Sequence, residues 1–166
     1  MQWFLLIMLC AGSFLLMRYL NNRAKSKLLD ADLIVSRGNE FYKQAHIFTT
    51  RTNDFSAIAG AIDQNALYAQ KISFEPNIGQ EQIIFHNQIS FGSFGARLRR
   101  LEPLNGIPRY KFQVEAWRDG QYGITRQDIN GANVLLTAIE RAFLSIDQNT
   151  CVERMELAYS TKPGLF

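Results

Sequence analysis

Apolar positions follow three rhythms along this chain. From Trp3 to Met17 no residue is charged, and the only interruptions are Ser13 and the small Gly12. No polar stripe divides this run, as it would on a helix half-buried in a soluble core. A helix over residues 1–20 would be roughly 30 Å long at about 1.5 Å per residue, enough to cross a hydrocarbon layer, with Arg18 snorkelling to the headgroups. The pattern therefore predicts an N-terminal transmembrane anchor over residues 1–20. Residues 21–45 read as a juxtamembrane connector. Lys25–Leu33 could prolong the helix as a polar stalk, Leu33-Ile34-Val35 could form a short strand, and Gly38-Asn39 interrupts either.

Residues 46–166 carry the other two rhythms. HIFTTR (46–51) has the β-branched and aromatic content of a strand. Asn53 or Asp54 then offers an N-cap, and Phe55, Ile58, Ile62 and Ala66 share one face of a helix that Gly60 weakens. The period next shortens to two. KISFEP, EQIIFHNQI, ARLRRLE, RYKFQVEAW and QYGITR read as strands, separated by Pro76–Gly79, a bend at FGSFG, Asn105-Gly106 and Asp119-Gly120. Asp119-Gly120 is the strongest hairpin signal, because a two-residue type I′ turn needs positive φ at both positions. Thr125 and Asp128 match a helix start, and Ile129, Ala132, Leu135, Ile139, Phe143 and Ile146 form one apolar stripe. Glu140 and Arg141 fall off that stripe. VERMELAYS (152–160) alternates again and predicts a closing strand.

The order β-α-β-β-β-β-β-α-β, dominated by hairpins, implies an α+β fold: an antiparallel sheet with two helices on one face, a ferredoxin-like variant being one form it can take.

Alternatives for the opening run fit less well. A secretory signal wants a cationic start and a small-residue cleavage site, and neither is present. A lipoprotein signal would want a small residue before Cys10, where Leu9 stands. Arg18, Arg23, Lys25 and Lys27 all follow the run, so positive charge places the body on the cytoplasmic side. The whole chain carries +3 with a pI near 9.0, less than a dedicated nucleic-acid binder shows. Two cysteines, Cys10 and Cys151, do not make a disulfide framework.

Chemistry is sparse. His46 and His86 lie on different strands with no third metal ligand in sight, and no cofactor-binding motif occurs. Cys151 follows a helix C-terminus, where the dipole disfavours a thiolate. FGSFG lacks the G-x-S-x-G spacing of a nucleophile elbow, and GSFG followed by arginines lacks the helices of an RNA-binding G-x-x-G loop. The carboxylates are scattered. What remains is charge geometry: Arg97, Arg99 and Lys111 should share one solvent face, with Arg109 and Trp117 at its rim. On a tethered domain that face could meet a protein partner, a second copy or anionic lipid headgroups, and less readily nucleic acid. These features predict a single-pass membrane protein with a cytoplasmic docking or assembly domain and no evident catalytic role. The alternative is a membrane-tethered enzyme or small-ligand domain, with polar residues such as His46, His86, Tyr110 or Arg126 in a cavity between sheet and helices.

Overall fold

The computed structural model describes residues 2–38, 40–89, 92–117 and 126–157. The chain divides into two units, residues 1–36 and 37–166. The first is essentially one helix, α1, Gln2–Asp30. It prolongs the apolar run through the basic stretch as far as Asp30, short of the Leu33 expected of a stalk, and Leu33-Ile34-Val35 is not a strand. A left-handed Asp32 (φ 56°) follows the helix.

The second unit begins earlier than expected. Phe41 and Tyr42, on a 3₁₀ turn of residues 41–43, are buried in its core. Strand β1 (Gln44–Thr49) follows. Where one helix is expected over 55–66 the chain makes two, α2 (Phe55–Ala61) and α3 (Gln64–Ala69). The break has a local cause. Asp63 accepts hydrogen bonds from the Asn65 and Ala66 amides at 3.0 and 3.1 Å, capping a second helix instead of continuing the first. The apolar set survives the break: Phe55, Ile58, Ile62 and Ala66 are all buried.

Strands β2 (Ile72–Asn77), β3 (Gln82–Ile89), β4 (Gly92–Leu104) and β5 (Ile107–Trp117) form a meander. Helix α4 (Arg126–Ile146) and strand β6 (Cys151–Glu156) complete the body. The hairpin turn between β4 and β5 is Asn105-Gly106, with φ of 53° and 79°, the left-handed pair a type I′ turn requires. The other hairpin expected, at Asp119-Gly120, lies outside the described residues, as do nearly all of QYGITR, the Thr125 cap and the tail of the last strand at 158–160. Arg126, read as the end of a strand, is the first residue of α4. The two glycines of FGSFG permit a bend or a bulge, and the structure has the bulge. From Gly92 onward the segment is strand, and its irregularity lies between Gly95 and Ala96.

All six strands pair antiparallel in the order β2-β3-β4-β5-β1-β6. β1 and β4 therefore run the same way with β5 between them, and β5 and β6 likewise flank β1. These are the two split crossovers of a ferredoxin-like sheet, extended by β2 and β3. Three helices rather than two cover one face. Phe48 stacks on Phe143 of α4 at 4.4 Å, and Tyr110 lies between Phe143 and Phe55. The ends of β1 and α4 are tied by Asp147. It accepts from the Arg51 amide (2.8 Å), the Asn149 amide (3.0 Å) and the Thr50 hydroxyl (3.0 Å), and these bonds hold its carboxyl below the usual range.

α4 approaches the sheet most closely at Gly131. A methyl group there would meet Nδ2 of Asn87 at 2.9 Å and Phe94 at 3.5 Å. Asn87 is fully buried and its amide has no hydrogen-bond partner. Gly131→Ala should therefore destabilise the chain by about 1 kcal/mol despite alanine's higher helix propensity. In an Asn87→Ala background the same change should become neutral or stabilising. Urea unfolding of the four full-length proteins tests this double-mutant coupling; equal effects in both backgrounds would refute the close-approach account.

Candidate functional site

The register sorts the proposed contact residues. Along β4 and β5, Ala96, Leu98, Phe112 and Val114 face the helices, so Arg97, Arg99, Arg109 and Lys111 face away from them. Arg99 stands directly opposite Lys111, Arg97 opposite Gln113, and Arg109 opposite Leu101. Four of the five expected residues thus share one face. Trp117 does not join them, because the bulge at Gly95/Ala96 shifts the alternation by one residue. Trp117 pairs with the buried Phe94 and packs edge-on against Tyr42 at 5.3 Å.

Nor is the face simply basic. Glu75, Glu115 and Glu153 lie on it, and Arg97 pairs with Glu115 at 3.1 Å with both side chains about a third exposed. A bridge that exposed contributes about 0–1 kcal/mol. The face is one of mixed charge: its field is too nearly balanced for counterion release, and suits specific polar contacts instead.

The residues offered for an enzymatic cavity do not converge. His46 is buried on the helix side of β1, while His86 is exposed on the opposite face of β3. Tyr110 donates to the Thr52 carbonyl at 3.3 Å, and burial raises its hydroxyl's pKa. Cys151 is exposed opposite Thr49, on the face away from His46. Among the described residues no three His, Cys, Asp or Glu side chains group as metal ligands.

The residues that do come together lie in a polar seam unseen in the sequence, between α4, residues 37–44, β1 and β6. Arg37 enters α4's flank with a side chain only 4% exposed. Its guanidinium donates to Asn133, to Thr137 at 2.8 Å and to Glu140, positions three and four apart on one helix face. Burial lowers the Arg37 pKa from its ordinary value and raises that of Glu140, in each case outweighing the attraction of the partner. Desolvation thus exceeds the Coulomb gain for both partners, as for many buried ion pairs. The pair fixes position more than it adds net stability.

His46 lies beside this pair, next to Arg154 in register. Neither ring nitrogen has a hydrogen-bond partner. Burial first, then Arg37 and Arg154, push its pKa down from 6.5 to about 4, while the nearby Phe41 carbonyl favours protonation too weakly to offset them. At neutral pH the ring is therefore an uncharged core residue tilted against Phe112. Outside it, Arg37, Gly38, Glu40, Phe41, Gln44 and Arg154 line a half-open cleft of about 230 Å³. Comparison with known proteins finds no matching family model, curated protein or solved structure.

Two outcomes follow from the seam. Arg37→Ala should cost about 3–5 kcal/mol by stranding Glu140, whereas Arg37→Met with Glu140→Leu should recover most of that loss, as read by urea unfolding. The unfolded chain binds a proton at His46 below pH 6.5 and the folded chain does not until about pH 4. Stability should therefore fall, by up to about 1.4 kcal/mol per pH unit, as pH drops through that window. His46→Leu should flatten that part of the curve, and an unchanged curve would assign the pH dependence to other groups.

Proposed function

We propose that this chain is a single-pass membrane-anchored protein whose body is a cytoplasmic docking or assembly domain. One observation carries the reading. α1 exposes Trp3, Leu6, Ile7, Met8, Leu9, Phe14, Leu15, Leu16, Met17 and Leu20, each more than half accessible and distributed around the whole helix. Among the described residues no helix is both long and apolar enough to cross a membrane. The proposal therefore rests on the circumference of the apolar surface and on the uncharged run from Trp3 to Met17. Such a surface needs an apolar surrounding on every side, which a bilayer supplies and a single docking groove does not. The cations Arg18, Arg23, Lys25 and Lys27 after the run favour a cytoplasmic body.

For the body, the mixed-charge outer face favours a protein surface as partner over nucleic acid or bulk anionic lipid. Arg97 is ion-paired, and among the described residues Arg99, Arg109 and Lys111 have no salt-bridge partner, so they are the cations offered to carboxylates of a partner.

Cys151 makes the arrangement testable, being exposed and the one cysteine of the body. The full chain should stay in the membrane pellet after a carbonate wash, and an impermeant maleimide should label Cys151 only after cells are permeabilised. Release by carbonate would remove the anchor, and labelling of intact cells would reverse its orientation.

A further inference from the structure

The sheet ends in two unlike edges. β2 carries Pro76, which has no N–H to donate, and its only charge within Ile72–Asn77 is Glu75. Both features discourage strand addition. β6 has no proline and no bulge, no strand among the described residues pairs with its outer edge, and its charges, Glu153, Arg154 and Glu156, are of both signs, so they can complement a second copy as well as repel one.

Which groups that edge offers follows from the register. The Leu157 amide donates to the Lys43 carbonyl at 3.2 Å, and Gln44 pairs with Glu156. Odd-numbered residues of β6 therefore turn their backbone groups toward β1. Val152, Arg154 and Glu156 turn theirs outward. Arg154 and Glu156 also point to the same side of the sheet, and neither has an ion-pair partner among the described residues. Arg154 lies near both Arg37, whose charged form it disfavours, and Glu140, whose carboxylate it favours.

We infer that β6 pairs antiparallel with β6 of a second copy about a two-fold axis at Met155. A two-fold axis perpendicular to the sheet allows only a few registers, and charge selects among them. Centring on Arg154 opposes two arginines, and centring on Glu153 opposes two glutamates. Centring on Met155 places Arg154 of each copy opposite Glu156 of the other, twice, and stacks the two half-exposed Met155 side chains. Each Arg154–Glu156 pair then also exchanges the outward backbone hydrogen bonds, so the interface is isologous and closed. The product is a continuous twelve-stranded sheet, twice the six strands of one body. The inference rests on the assembly part of the proposed function and is independent of the membrane part.

The test uses the full chain in detergent with Cys10→Ser and Cys151→Ser. At the two-fold centre the two residues 155 form a non-hydrogen-bonded pair, with Cα atoms about 4.5 Å apart, within disulfide reach. Met155→Cys should therefore form an oxidised dimer. Glu153→Cys, which faces Leu157 of the other copy, should form at least several-fold less. Arg154→Glu or Glu156→Arg should each suppress the Met155→Cys dimer, and the two together should restore it. An Arg154-centred register would leave two glutamates opposed in that double variant, so restoration discriminates between registers. Cross-linking at 153 equal to that at 155, or no restoration, would overturn the inference. So would sedimentation of the unmodified chain as a monomer up to about millimolar concentration, the range that confinement to a bilayer supplies. Carbonate fractionation of the same variants reports on the anchor separately: a membrane-bound monomer defeats only the edge, and a carbonate-released dimer only the anchor.

Discussion

The body of this protein depends on α4 being held from two sides. Toward the sheet it buries Leu135, Ile139 and Phe143, the ordinary stripe of an amphipathic helix. On its other flank Glu140 would be left without its cation if Arg37 were absent, while Asn133 and Thr137, hydrogen-bonded to each other, offer the guanidinium two further acceptors. A guanidinium has five donors in a rigid fork, and three acceptors spaced over two helical turns leave it one arrangement. Phe41 and Tyr42 follow within a few residues, so the same contact delivers two aromatic side chains to the core and Tyr42 to the edge of Trp117. Burial opposes the charged form of both Arg37 and Glu140, which fits a network whose value is positional. An apolar seam could bind more tightly, but it would not specify where the chain enters the body.

Among the described residues no helix of the body covers the opposite face of the sheet. That face carries cations and carboxylates in near balance. Its ion pair, Arg97–Glu115, joins neighbouring strands and damps the field further. A balanced face resists nonspecific adhesion to polyanions while keeping directional contacts available. Specific recognition is left to the face's pattern and to the sheet edges.

Much of this was legible in the sequence, and the failures share a cause. Alternation located β1 to β5 and put Arg97, Arg99 and Lys111 at positions of one parity, because side-chain parity is a local property of a strand. The turn at Asn105-Gly106 was equally local. What escaped depended on partners. Glu140 reads as a solvated residue until Arg37, about a hundred positions earlier, closes over it. Trp117 changes sides because of a bulge that alternation within β5 cannot register, since the offset is defined by its pairing with β4. Asp63 escaped for a different reason: a continuous apolar stripe through Ile62 argued for one helix, and the stripe proved compatible with two once Asp63 capped the second.

The same logic bears on what a short edge strand can do. Six residues of β6 can supply only a handful of hydrogen bonds and two ion pairs, partly exposed, which in dilute solution would give weak association. Confinement to a bilayer changes that balance without adding a contact, because it restricts orientation and raises effective concentration toward the millimolar range. An anchor and a modest edge are therefore complementary: the edge supplies register and the membrane supplies proximity. A strand strong enough to dimerise alone would also pair indiscriminately with other exposed edges. The charge pattern of β6, satisfied in one register and opposed in the neighbouring ones, is how a weak edge can still be selective.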